Sequence, residues 1–406
     1  MTTELTKGIH WVGYVDWGVR DFHGYSTDRG ATYNAYLVQD EKTALIDTVK
    51  GPYAQSLLQN VAALTDPEKI DYVVCNHGEP DHSSALPAVM AALPNATLLC
   101  SKKAVDSLGA YYDTSDWKMQ IVGTGDAVSL GSRTLAFLET PMVHWPDSMM
   151  TYIPEEKLLF SMDGFGQHFA SNTRFDDENP LPTLLEEARI YYANIVTPYS
   201  SQVVKTMTAA AGLDIEMIAP SHGVIWRSHI AEILQAYRNW SQGKAKKKVL
   251  VVFDTMWGST AKLADAIVEG ASAVPSVEVK LIAIRTSDLT EIATEMLESA
   301  GIAFGSPTLN RGMMPMAAAV LTYAQGLRFT GRAGFAFGSY GWSIGGPEAL
   351  DKGLKECKWE VLNDPIKSKF KPTEDVLAKC REAGRLLAVR AVELSEAAGY
   401  EPLLID

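Results

Sequence analysis

His77, Glu79, Asp81 and His82 stand within six residues of one another in the run Asn76-His-Gly-Glu-Pro-Asp-His-Ser-Ser. Imidazoles mixed with carboxylates are ligands suited to iron, zinc or manganese, and thiolate sites look different. Alternation along an extended loop turns His77 and Glu79 to the same side, so both can reach one ion. Asp81 and His82 fall at the bend that follows, where adjacent side chains diverge and can serve a second ion. Only eight histidines occur in the whole chain, so two in one short loop is more than a solvated polar turn requires.

Ligands need rigid supports. Residues 72–75 form an apolar run that predicts a buried strand just before the loop. Leu86, Val89 and Met90 are spaced for one face of a helix beginning near Ser83. Three further candidates sit in the same strand-then-turn context, where a loop side chain can point into a shared site. His144 follows a predicted strand at 134–138, Asp163 follows one at 158–161, and His222 follows one at 215–219. His10, His168 and His229 are read as structural.

The chain has 406 residues, 47% of them hydrophobic and 21% charged. That length predicts two or three domains. No apolar run approaches the roughly 18 residues that span a bilayer. The N-terminus has no apolar signal region, so a cytoplasmic location without membrane attachment is expected. Cys75, Cys100, Cys357 and Cys380 are scattered, which argues against disulfides, structural zinc and cysteine-ligated iron. A net charge of −13 disfavours nucleic acid as a partner.

Residues 32–38 and 43–48 flank a polar turn and predict a hairpin. Helical spacing follows at 53–64, strands at 96–100 and 149–153, mostly helix at 182–212, and a helix at 230–240. Strands in meanders with helices between them suggest a sheet sandwich flanked by helices over residues 1–243. The lysine-rich run at 244–248 reads as a solvated basic linker, with Gly243 stopping the preceding helix. From 249 to 406 the period changes to strict strand–helix alternation, which predicts a doubly wound parallel sheet. Its strands are expected at 249–253, 277–284, 302–305 and 333–337, and a last helix at 375–397.

In the second domain the strand at 249–253 runs into Asp254-Thr-Met-Trp-Gly-Ser-Thr and opens directly onto a helix. Hydroxyls, a glycine and free helix N-terminal amides can cradle a phosphate without any lysine. The candidate residues are Thr255, Met256, Trp257, Gly258, Ser259 and Thr260. Two more strand-end loops would complete a ligand site. One carries Pro307, Thr308, Leu309, Asn310 and Gly312; the other carries Ser339, Tyr340, Gly341, Trp342 and Gly345. The pattern is neither a Walker loop nor a dinucleotide turn, and a monophosphate fits it best.

Taken together, the order His-x-Glu-x-Asp-His, then His, Asp and His, resembles the metallo-β-lactamase superfamily with one change. Hydrolase members carry His-x-His-x-Asp-His, whereas Glu79 here is a hard carboxylate that favours iron over zinc. Followed by a flavodoxin-like domain, this variant resembles the flavodiiron proteins over essentially the whole chain. The likeness includes Asp21-Phe-His-Gly-Tyr, Thr32-Tyr-Asn-Ala-Tyr-Leu, His144-Trp-Pro-Asp-Ser-Met and Gly164-Phe-Gly-Gln-His.

The resemblance implies an N-terminal metallo-β-lactamase-like αβ/βα sandwich and a C-terminal flavodoxin-like sheet. It implies that His77, Glu79 and His144 bind one iron and that Asp81, His82 and His222 bind the other, with Asp163 bridging. His23 and Tyr25, and with them Tyr199, resemble residues lining the open side of the family's site. The phosphate loop resembles that of flavodoxin, hence FMN. Two ferrous ions and a flavin hydroquinone hold the four electrons that reduce dioxygen to two waters; two nitric oxides becoming nitrous oxide need two. The activity implied is reduction of dioxygen and/or nitric oxide. A head-to-tail homodimer, or a tetramer of such dimers, would set each flavin beside the partner's diiron site. Electrons would come from a rubredoxin-like donor or a reduced deazaflavin coenzyme (F420). Two other classes are weighed against this: a metallo-β-lactamase-type hydrolase with an accessory flavin domain, and a flavodoxin-like electron carrier with a degenerate first domain. Glu79 argues against the former and the complete ligand set against the latter.

Overall fold

The computed structural model describes residues 2–403. They form two compact units. One comprises residues 2–191 and 201–234, the other 192–200 and 235–403.

In the first unit a seven-stranded sheet runs in the order Thr3–Thr6, Ile9–Trp11, Tyr36–Val38, Thr43–Ile46, Ile70–Cys75, Thr97–Cys100 and Met119–Ile121. A five-stranded sheet follows the chain through Ala127–Ser129, Thr134–Glu139, Met149–Ile153, Leu158–Met162 and Met217–Pro220. Alternate side chains fill the layer between them, as the two-residue period of a strand dictates. Tyr36, Val38, Ile46, Val74 and Leu99 meet Phe137, Met149, Ile153, Leu158 and Phe160 in one core. The other face of the first sheet is also dry, with Val73 and Leu98 fully buried. Helices Ala54–Ala62 and Leu86–Ala92 bury Leu57, Val61, Val89 and Met90 along their apolar stripes. This is the predicted sandwich.

One expected strand is broken in two. Ala31–Tyr33 pairs with Tyr14–Asp16, while Tyr36–Val38 joins the large sheet. The break falls at Asn34, whose amide donates to the carbonyls of Pro220 (2.8 Å) and Gly223 (3.0 Å) and accepts from Trp11 Nε1 (2.7 Å). These bonds pin the strand start to the loop that carries His222.

In the second unit the strands run parallel in the order Glu278–Ala283, Lys246–Phe253, Ser299–Gly305, Ala333–Tyr340 and then Glu360–Val361, with Ile366–Lys369 also on Ala333–Tyr340. In chain order this is 2-1-3-4-5, the flavodoxin-like arrangement, whose ligand crevice opens where loops after the first and third strands diverge. The sequence reading missed the two last strands, which are short and alternate with lysines and turns. It also misread the basic run. Lys246 and Lys248 belong to the first strand of this sheet, Lys246–Phe253. Lys248 is buried with Nζ 2.5 Å from Glu278 and 2.6 Å from Glu295, and Lys246 pairs with Glu298 at 2.6 Å. Residues 246–248 are therefore sheet, not linker. Among the described residues no helix is long and apolar enough to cross a membrane.

Candidate functional site

Each candidate ligand stands where a strand stops. His77 follows Ile70–Cys75, Glu79 precedes the short helix Pro80–Ser83, and Asp81 and His82 lie on that helix. Asp163 directly follows Leu158–Met162 and His222 follows Met217–Pro220. His144 comes from the loop before Met149–Ile153.

The folded chain gathers all seven into two groups, His77–Glu79–His144–Asp163 and Asp81–His82–His222. Asp163 faces both. Its Oδ2 lies 3.5 Å from His77 Nε2 and 3.2 Å from His144 Nε2. Its Oδ1 lies 3.0 Å from His82 Nε2 and 3.6 Å from His222 Nε2. Glu79 Oε2 is 3.1 Å from His77 and 3.0 Å from His144, and Asp81 Oδ2 is 3.3 Å from His82 and 3.1 Å from His222. Two donors each roughly 2.1 Å from one ion and at right angles would be roughly 3.0 Å apart, so these spacings suit shared ions. Both carboxylate oxygens of Asp81 and of Asp163, and His82 Nε2, are buried without a hydrogen bond among the described residues. Buried polar atoms left so are costly unless something else satisfies them. The donor set fits two cations.

Outer contacts orient the rings. His222 Nδ1 donates to the Thr32 carbonyl at 2.6 Å, which leaves Nε2 facing the cluster. Asp147, fully buried, accepts from the Gly78 amide at 2.6 Å and lies 3.6 Å from His77 Nδ1. Burial opposes charge on these histidines, yet Asp147 and Glu79 hold His77 up at about 10, and Asp163 and Glu79 do the same for His144. Burial likewise opposes ionisation of Glu79 and Asp163, but the surrounding imidazoles pull both carboxyls far below the usual range. The pocket is thus set to hold positive charge beside its carboxylates.

Around the cluster, His23 lies with Nε2 2.9 Å from Glu79 Oε1 and its side chain 60% exposed, at the open rim. Tyr25 is buried, its ring stacked 5.6 Å from that of His168 and its hydroxyl 3.3 Å from Nδ1. Tyr199 lies in the turn Thr197–Tyr199, within the segment that groups with the second unit. Tyr191, which the sequence did not single out, is buried at the end of helix Leu181–Tyr191 with its ring 6.0 Å from His222 and 5.0 Å from His168. His168, read as structural, packs 4.8 Å from the His222 ring. Tyr191 carried no local signal, being a helix-face aromatic, whereas His168 closes the Gly164-Phe-Gly-Gln-His stretch.

In the second unit a cleft of about 840 Å³ opens at the strand ends. Of the predicted residues it is lined by Met256, Trp257, Ser259, Pro307, Thr308, Asn310, Ser339, Tyr340, Gly341 and Trp342. Arg311 and Ser343, from the same two loops, line it as well, and so do Phe370 and Lys371, which were not foreseen. Thr255, Gly258, Thr260, Leu309, Gly312 and Gly345 support the walls instead. Thr255 Oγ1 accepts from the Gly258 amide at 3.2 Å, and Thr260 Oγ1 lies 2.9 Å from Ser339 Oγ. A Cβ on Gly345 would stand 2.1 Å from the Arg311 carbonyl, so the two loops touch there. Trp257 and Trp342 are 93% and 95% exposed, large apolar rings waiting at the mouth of the cleft. A planar heteroaromatic ligand with a phosphate tail fits such walls.

Residues 31–223 match the model of the ODP family beta lactamases and residues 251–384 that of flavodoxin. A nitric oxide reductase of Moorella thermoacetica is 44% identical, over 96% of this chain and 98% of that protein. The chain belongs to the flavodiiron protein family. An anaerobic nitric oxide reductase flavorubredoxin of Escherichia coli is 41% identical, over 96% of this chain and 82% of its own length. Two solved flavodiiron-type structures superpose over nearly all of it. The flavodiiron protein of Giardia intestinalis gives a TM-score of 0.95 at 40% identity, covering 98% of each chain. The rubredoxin oxygen:oxidoreductase of Desulfovibrio gigas gives 0.92 at 39%, covering 99% of this chain and 100% of that one.

Proposed function

We propose that the chain is a flavodiiron oxidoreductase that reduces dioxygen to water and/or nitric oxide to nitrous oxide. The observation that carries this reading is Asp163, one oxygen toward each of two ligand groups, with a carboxylate at Glu79 where hydrolases place imidazole. His77, Glu79 and His144 would hold one iron, Asp81, His82 and His222 the other, and the cleft at the strand ends of the second unit would hold FMN. When bound, the irons supply electrons and open coordination positions for a diatomic oxidant, and FMN supplies the electrons that restore them.

The chain's own residues do the rest. Asp147 and the Thr32 carbonyl fix the rings of His77 and His222, so the ligands are aimed before an ion arrives. Phe22, Trp145 and Tyr191 present ring edges and faces to the ligand histidines, which limits water behind them. His23, exposed and hydrogen-bonded to Glu79, is placed to donate a proton to oxygen at the rim. The Thr255–Thr260 turn and the loops at 307–312 and 339–345 would bind the phosphate and ring of the flavin.

We also propose a cytoplasmic head-to-tail homodimer fed by a rubredoxin-type donor. Free thiols at all four cysteines are compatible with a reducing compartment. Metal and flavin analysis tests the function most simply. Two irons and one FMN per chain, with consumption of one of the two gases by the reduced protein, are expected. Zinc in their place, with neither gas consumed, would return the chain to the hydrolase class.

A further inference from the structure

A column of three tyrosines leads away from His222 toward the surface. The Tyr33 ring meets the His222 ring edge-on at 5.8 Å and stacks with Tyr53 at 5.6 Å. Tyr53 in turn lies nearly parallel to Tyr14, centroids 3.8 Å apart and planes 11° apart. The two inner contacts fall within the roughly 4.5–7 Å that aromatic packing favours, and the outer pair is closer, so the rings make an unbroken van der Waals path from His222 to Tyr14. Tyr14 lines a surface cleft of about 310 Å³ beside Trp11 and Arg174.

The hydroxyls differ in what they can do with a proton. Tyr33 is fully buried and its hydroxyl has no hydrogen-bond partner among the described residues. Oxidised there, the phenol would remain a buried cation, which is unfavourable. Tyr53 donates its hydroxyl to Asp16 Oδ2 at 2.7 Å. Asp16 is held for this by its other oxygen, which accepts from the amides of Gly18 (3.0 Å) and Val19 (3.1 Å). Of the two inner rings, Tyr53 is the one that can lose a proton as it loses an electron. An oxidising equivalent passing outward through Tyr33 would therefore come to rest on Tyr53.

We propose that Tyr33, Tyr53 and Tyr14 form a one-electron relay that protects the metal centre, with Tyr53 as its resting point and Asp16 as its base. The proposal rests on the diiron reading of His222. When dioxygen has received only three of its four electrons because the donor has run out, Tyr53 gives the fourth through Tyr33. Its hydroxyl proton passes to Asp16, a solvent proton completes the second water, and a neutral tyrosyl radical is left. A small one-electron reductant, such as ascorbate or a thiol, then reduces that radical by way of Tyr14, and Asp16 returns the proton.

The test is freeze-quench electron paramagnetic resonance on the iron- and FMN-loaded protein, given three electrons per chain and mixed with dioxygen. A tyrosyl radical is expected, reduced at least about tenfold in Tyr53→Phe and slowed to a similar degree in Tyr33→Phe, which removes only an unpartnered hydroxyl. With excess donor Tyr53→Phe should consume dioxygen as the parent does. With donor limiting it should inactivate at least about threefold faster and accumulate oxidised histidine in the His222 peptide. A radical that persists unchanged in Tyr53→Phe, or none in a parent protein that consumes dioxygen, would overturn the relay. A fully loaded protein that consumes no dioxygen would instead overturn the diiron reading and the relay with it.

Discussion

At the scale of residues, a single carboxylate links the two halves of the metal cluster. Asp163 offers one oxygen to His77 and His144 and the other to His82 and His222. Asp163→Ala should therefore lower bound iron in both positions and cut gas consumption by at least about a hundredfold, since loss of a bridging ligand misplaces both ions. His82→Asn should spare more metal and abolish turnover nearly as fully. Iron analysis beside activity separates the two variants. A second prediction concerns pH. Glu187, buried in the helix that ends at Tyr191, is raised to about 7 by burial despite Arg29 Nε at 2.8 Å. A carboxyl whose pKa is higher folded than unfolded supports the fold below the unfolded value and loses that support as pH rises. Stability from this group should fall from pH about 4.5 through 7, by roughly 1–3 kcal/mol. Glu187→Gln should flatten that part of the Tm–pH curve.

At the scale of elements, local sequence revealed those whose signal is local. The 77–82 loop was legible because four ligand types crowd one strand-to-helix turn, and the flavin loops because glycines and hydroxyls follow apolar strands. Lys246–Lys248 were not. A basic run looks like solvent-facing linker, and the partners of Lys246 and Lys248, which are Glu278, Glu295 and Glu298, come 30 to 52 residues later. Phe370 and Lys371 were missed for a related reason, since the strand Ile366–Lys369 that delivers them is short and half lysine. Tyr191 was missed because helical spacing tells which face is apolar but not what lies against it. The strand start makes a prediction. Lys248→Met keeps the apolar stem and takes away the ammonium that stands 2.6 Å from the buried Glu295 carboxylate. The fold should lose about 3 kcal/mol, read from urea unfolding.

At the scale of the whole molecule, metal ligands and flavin loops occupy separate compact units of one chain. We propose that a head-to-tail dimer sets each flavin beside the partner's metal cluster, because electron transfer is efficient only between close centres. Sedimentation should give twice the 44.3 kDa chain mass or a multiple of it, and turnover per chain should fall on dilution below the dissociation range. A monomer with undiminished turnover would remove the dimer from the account. If both centres act in one reduction, anaerobic stopped-flow shows it most directly. The protein, loaded with iron and FMN and fully reduced, is mixed separately with dioxygen and with nitric oxide while flavin and iron absorbance are followed. Rapid reoxidation of both chromophores by at least one gas is the predicted result. Loaded protein that neither gas reoxidises would contradict it.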